Sequence, residues 1–172
     1  MLKKMIAATC LLAMLFGSND VQAQRRSSGR SSSGGGAGYK NAAGIMIDFG
    51  DGTLFGFSGK RFFSDRVAGQ GLIMFSSGTS INLGADVQYH VPIASAPGLQ
   101  WYAGGGILIS FYKSYFGYGG GTGFGLRPQA GLDYKLESAP INFSFDWRPI
   151  IGLNQGGGFN AARFGLAARY TF

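Results

Sequence analysis

His90 is the only histidine in the chain, and imidazole is the commonest general base. Asp86 stands four residues earlier. On a strand the two would share a face but lie roughly 13 Å apart, too far for the carboxylate to orient the ring. No serine stands at an obvious nucleophile spacing. His90 therefore keeps two readings, a polar interior or interfacial residue and a catalytic base, and the spacing favours the first. Paired carboxylates and His/Cys clusters with metal-ligand spacing are absent from the sequence. The run Gly119-Gly120-Gly121-Thr122-Gly123 is no phosphate loop, because no Lys-Ser/Thr follows it and no helix begins there. These residue types imply no catalytic, cofactor or metal site. What remains is a set of charges: Asp48, Lys60, Asp86, Arg127, Asp133, Lys135, Asp146, Arg148, Arg163 and Arg169.

Strands must position those charges. The last ten residues run Arg163-Phe-Gly-Leu-Ala-Ala-Arg-Tyr-Thr-Phe172. Phe164, Leu166, Ala168, Tyr170 and Phe172 alternate with small or polar residues, the period-two pattern of a strand with one apolar face. The same pattern recurs seven times upstream, at about 42–49, 54–63, 67–75, 80–91, 99–111, 124–136 and from 141 to Trp147. In the fourth strand Ile81, Leu83, Ala85, Val87, Tyr89 and Val91 oppose Asn82, Gly84, Asp86, Gln88 and His90. In the seventh, Ile141, Phe143, Phe145 and Trp147 oppose Asn142, Ser144, Asp146 and Arg148. The third strand is the least regular. Pro128 falls on the apolar face of the sixth and implies a bulge or break, and Pro149 interrupts the seventh. Turn-forming residues separate the strands at 50–53, 64–66, 77–79, 92–98, 112–123, 137–140 and 154–160.

Composition narrows the class. Thirty-one glycines, fifteen phenylalanines and only 13% charged residues are unusual for a soluble protein, and so much glycine disfavours helices. The first 23 residues read as a cleaved signal peptide: Lys3 and Lys4, an apolar run from Met5 to Phe16, then Val21-Gln22-Ala23. A lipoprotein signal with Cys10 as acceptor is the rival, but the apolar run continues past that cysteine. Cys10 is the only cysteine, so none would remain after cleavage. Residues 24–41, rich in Ser, Gly and Arg, read as a flexible linker. Net charge is +7, of which Arg25, Arg26, Arg30 and Lys40 supply +4 in that linker. Charge held in a tail and in alternating strand positions is not a nucleic-acid patch.

Eight strands fit a barrel, and the two faces decide its solvent. A soluble lipocalin-like barrel would turn the apolar set inward and show water a surface rich in Lys and Glu. Here the second set is Gly, Ser, Ala and the charges named above, and Glu137 is the single glutamate of the strand region. Small and charged residues suit a crowded interior where six bases and four acids pair across strands; a narrow ion path is the alternative use of the same charges. The large apolar set suits lipid. The expected fold is therefore all-β, an eight-stranded antiparallel up-and-down transmembrane β-barrel over 42–172, with the final strand closing against 42–49. At eight strands, side chains just fill the interior.

These residues resemble the small Gram-negative outer-membrane β-barrel proteins, similar in architecture to the OmpX and OmpA-barrel group. The resemblance rests on Gly-Lys-Arg-Phe-Phe (59–63), Val-Gln-Tyr-His-Val-Pro (87–92), Trp-Tyr-Ala-Gly-Gly-Gly (101–106), Gly-Leu-Asp-Tyr-Lys-Leu (131–136), Phe-Asp-Trp-Arg-Pro (145–149) and the terminal strand. It implies that Arg163, Gly165, Ala168, Tyr170 and Phe172 form an assembly signal, although Ala168 is smaller than usual. The implied partners are outer-membrane lipids, with the barrel-insertion machinery and periplasmic chaperones during biogenesis, around a monomer that binds no nucleic acid. With a periplasmic N-terminus, the turns near 64–66, 92–98 and 137–140 would be periplasmic and the others extracellular. Some outer-membrane barrels are acyltransferases, phospholipases or proteases, with a His beside Ser or Asp near the outer rim; this topology puts His90 near the other end. The expected role is structural or surface-interacting, without catalysis. A porin-like small-solute or ion channel is the second reading and a lipid-modifying barrel enzyme the third.

Overall fold

Alternation of large apolar with small or polar residues produces ten strand segments and no helix among the described residues. The computed structural model describes residues 38–76, 80–112, 120–154 and 157–172. The expected signal peptide, all but the last residues of the expected linker, and positions 77–79, 113–119 and 155–156 lie outside them. The segments are β1 (Asn41–Gly50), β2 (Leu54–Phe62), β3 (Val67–Ser76), β4 (Ser80–Pro92), β5 (Leu99–Tyr112), β6 (Gly121–Lys135), β7 (Ile141–Trp147), β8 (Ile150–Gly152), β9 (Phe159–Asn160) and β10 (Arg163–Thr171). Every pairing is antiparallel: β1 to β7 pair in chain order, β8 pairs with β6 and β9, and β10 pairs with β7 and, across the seam that closes the cylinder, with β1.

That seam joins β1 to β10, with Ala42 opposite Thr171 and Gly50 opposite Arg163. Asn41 and Phe172 exchange backbone hydrogen bonds of 3.0 and 2.9 Å at its end. A closed sheet leaves no row of unpaired N–H and C=O groups. The terminal strand thus pairs with the first, as its pattern predicted.

Ten segments make eight staves, because two staves are interrupted. β7 and β8 form one. Trp147 pairs with Ala130 and Ile151 with Leu126, so the same register runs across the gap and sets Pro149 opposite Pro128. Neither proline has an N–H to donate, and the ladder is lost where they meet. The break signalled by Pro128 thus falls in its partner stave, while β6 itself runs on from Gly121, three residues earlier than the alternation suggested. β9 and β10 form the other interrupted stave. Phe164 pairs with Trp147 but Asn160 pairs with Ile150, so two residues, Ala161 and Ala162, oppose Pro149 alone. That is a β-bulge. The Trp147 indole N–H donates to the Ala161 carbonyl at 2.6 Å, occupying a backbone acceptor that the bulge frees.

The faces of the cylinder invert the usual arrangement. Ile45, Phe55, Phe57, Val87, Ile107, Phe145 and Leu166 are exposed, while Asp48, Lys60, Asp86, Arg127, Asp133, Asp146, Arg148 and Arg169 are buried. The interior is layered. Toward the loop end (the end of 50–53, 153–154 and 157–158), Met46, Leu72, Met74, Leu108 and Ala167 pack as an apolar layer. At the turn end (63–66, 93–98 and 136–140), Phe62 and Ala68 pack with Tyr39. Polar side chains fill the space between.

Candidate functional site

The polar interior is built by alternation. Each stave sends every second side chain inward, so charges spaced two, four or six apart in sequence enter one lumen. Four buried ion pairs result. Lys60 Nζ on β2 lies 2.6 Å from Asp133 Oδ2 on β6, across the lumen. Arg127 on β6 pairs with Asp86 on β4, two staves away. Arg148 pairs with Asp146, its neighbour but one on the same stave, through both Nε and Nη2. Arg163 on β10 pairs with Asp48 on β1 at 2.7 Å, across the seam. A buried pair gains little net stability over an apolar substitute, but removing one partner strands a charge, at a cost of about 3–5 kcal/mol.

Glycines make room for the guanidinium groups. A methyl group at Gly165 would overlap Arg148, and one at Gly84 would come within 2.8 Å of Arg127 Nη2. Hydroxyls and amides complete the network. Tyr102 Oη donates to Asp146 Oδ2 at 2.5 Å, and its ring lies 4.8 Å from Lys60 Nζ. Asn142 Nδ2 donates to Asp133 Oδ1 at 2.7 Å.

Arg169 differs from the other bases. It is 1% exposed, and none of its hydrogen bonds reaches a carboxylate. Nε donates to Ser58 Oγ at 2.8 Å, Nη1 to Ser144 Oγ at 2.9 Å and to Asn142 Oδ1 at 3.3 Å, and Nη2 to Gln70 Oε1 at 3.2 Å. Lys135, expected among the interior charges, leaves the network altogether. It sits at the last residue of β6, where its Nζ reaches the carbonyls of Leu136 at 2.5 Å and Ala139 at 2.7 Å and fastens the turn.

His90 lies within the lumen near the turn end. Nδ1 is 3.1 Å from Gln100 Oε1 and Nε2 is 3.1 Å from Gln88 Oε1. Its ring stacks on Tyr102 at 4.9 Å and meets the edge of Phe62 at 4.8 Å. Both ring nitrogens thus face amides, with neither a serine nor a carboxylate among the hydrogen-bond partners. Among the described residues, no three His, Cys, Asp or Glu side chains are gathered to hold a metal.

Tyr39 was read as linker, yet it belongs to this site. Its hydroxyl donates to Asp133 at 3.1 Å and its ring packs edge-on against Phe62 at 5.2 Å. Burial, helped by the Asp133 carboxylate, raises its phenol well above the ordinary range, so the proton stays available for that bond. A lone aromatic after a Ser/Gly run, two residues before the first strand, was the available signal.

Two further features lie at the margins. The loop end opens into a vestibule of about 500 Å³ lined by Leu54, Asn82, Leu108, Ser110, Ile150 and Arg163. On the outer surface Trp101, Trp147, Tyr89 and Tyr134 are exposed, and the rings of Phe145 and Phe164 stack at 6.1 Å. The terminal residues sort by face: Arg163 and Gly165 point inward, whereas Tyr170 and Phe172 are exposed and stacked at 6.4 Å, with Ala168 half-buried beside them.

No protein-family model matches the sequence, and no curated protein matches it either. The fold does have solved counterparts. The N-terminal β-barrel domain of Pseudomonas aeruginosa OprF superposes with a TM-score of 0.62 at 18% identity, over 78% of this chain and 99% of that one. Neisserial surface protein A (NspA) aligns over 77% of this chain and 94% of its own, at 14% identity and a TM-score of 0.49. At 18% identity the OprF domain establishes the fold and nothing finer.

Proposed function

We propose that this chain is an integral outer-membrane β-barrel, exported through a cleaved signal peptide, whose role is structural or surface-interacting rather than catalytic. One observation carries the reading: large apolar side chains cover the outside of a closed cylinder whose inside holds four buried ion pairs. Water would leave that outer band unsatisfied, whereas hydrocarbon accepts it. Closure supports the same reading, since lipid cannot hydrogen-bond a free sheet edge. Exposed Trp and Tyr rings suit the interface between hydrocarbon and headgroups.

The partners follow from this placement: lipids around the barrel and, during biogenesis, chaperones and an insertion machinery that read the terminal strand through Arg163, Gly165, Ala168, Tyr170 and Phe172. The barrel acts as a monomer. Its lumen does not conduct, because an apolar layer stands on each side of a polar middle crowded with large side chains and crossed by ion pairs. Planar-bilayer recording tests this directly. A silent membrane is expected, and reproducible unitary currents would favour the small-solute channel instead. Placement has its own test: the folded chain should migrate faster than the boiled chain in detergent gels, and a folded monomer soluble without detergent would sink the membrane reading. For the lipid-modifying alternative, His90→Ala should leave every lipid-processing phenotype unchanged.

A further inference from the structure

The lumen contains one more base than acid. Lys60, Arg127, Arg148 and Arg163 each have a carboxylate, and Arg169 has none. The nearest it comes is through Asn142, whose Oδ1 accepts from Arg169 while its Nδ2 donates to Asp133. Beside Arg169 lies a trio of buried glutamines. Gln88 Nε2 donates to Gln70 Oε1 at 3.0 Å and to Gln129 Oε1 at 3.3 Å. The other ends of Gln70 and Gln129, both Nε2 groups, are buried without any partner.

Exchanging oxygen and nitrogen on these amides does not remove the problem. Arg169 needs an oxygen from Gln70, which fixes that amide. Gln70 then needs a donor from Gln88, and Gln88 needs an oxygen from Gln129. The trio is therefore oriented by Arg169 and leaves two NH2 groups over, one on the glutamine that Arg169 holds and one on the far side of Gln88, near a cation without a carboxylate of its own. A water molecule would accept from the donors but leave the charge. An apolar void would satisfy neither, and a buried unpartnered donor costs about as much as a lost hydrogen bond.

We propose that the middle of the lumen binds a small inorganic monoanion of the halide class, held by Gln70 Nε2 and Gln129 Nε2 in the field of Arg169. The ion is enclosed as the cylinder closes, and it brings the interior to neutrality. Its place is structural: it replaces the fifth carboxylate that the sequence does not supply.

The test compares unfolding of the full-length folded barrel in detergent micelles in sodium bromide and in sodium gluconate at equal ionic strength. A site with a dissociation constant of about 1 mM would shift the unfolding equilibrium about a hundredfold in about 100 mM bromide. Gln70→Glu is the decisive variant, because it gives Arg169 a carboxylate and removes one spare donor together. It should be at least as stable in gluconate as the native chain is in bromide, and indifferent to the salt. Arg169→Gln should also lose the salt dependence, at a cost in stability. Bromide anomalous scattering should place the ion beside Gln70 and Gln129. Equal stability in the two salts, a bromide effect that survives in Gln70→Glu, or a water without anomalous signal at that position would each overturn the proposal.

Discussion

At the scale of single residues, the interior behaves as a set of unequal commitments. Asp86→Asn leaves Arg127, 1% exposed, facing a neutral amide, and should cost about 3–5 kcal/mol in a reversible denaturant titration into micelles. Replacing both partners with apolar residues of similar volume, Asp86→Leu with Arg127→Met, should recover most of that loss; an equal loss in the double variant would mean that the pair itself is stabilising. Gly165→Ala tests the packing beneath Arg148. The added methyl collides with the guanidinium, so a loss of about 1–3 kcal/mol is expected, and a neutral result would show that Arg148 has room to move. Sequence spacing was enough to say which side chains share a face, because a strand has period two whatever surrounds it. It could not say which acid meets which base. Asp146 meets Arg148 along one stave, whereas Lys60 reaches across the lumen to Asp133, and that choice depends on how far each stave is staggered against the next. Lys135 was misplaced for a related reason. It has the right parity, but it stands at the end of its strand, where a long flexible side chain finds turn carbonyls closer than any carboxylate.

At the scale of elements, the regular parts of the cylinder were legible and the irregular ones only half so. Pro128 announced a disturbance, but the location of the gap depends on the opposing Pro149, and that pairing appears only once the register is known. The bulge at Ala161 and Ala162 had no sequence signal, since two alanines fit a strand as well as a bulge. Its stability is testable. Trp147→Phe keeps the ring but removes the indole N–H that meets the Ala161 carbonyl, so a loss of about 1 kcal/mol is expected. Faster hydrogen exchange should follow at Ala162 and Arg163, and exchange spread evenly over β10 would argue against a local role.

At the scale of the whole molecule, the barrel should come apart as one unit. Each stave is held by both neighbours, so no part of the cylinder has an independent core. The loss of tryptophan ellipticity and the change in gel mobility should share one midpoint in denaturant, and separate midpoints would reveal a stable partial sheet. Tyr39→Ala probes the turn end in the same experiment. It removes a bond to Asp133 and an edge contact with Phe62, and should lower the midpoint without splitting the transition.

The seam between β1 and β10 also sets an order of events in time. Its partners, Ala42 with Thr171, come from nearly opposite ends of the barrel sequence, so a chain emerging N-terminus first has β1 long before it has anything to close against. Until the last strand arrives, the sheet has two bare edges and an apolar face, the combination most prone to pairing with the wrong chain. Waiting is therefore built into the topology, and the interval before closure is when this protein depends most on being kept apart from its own copies.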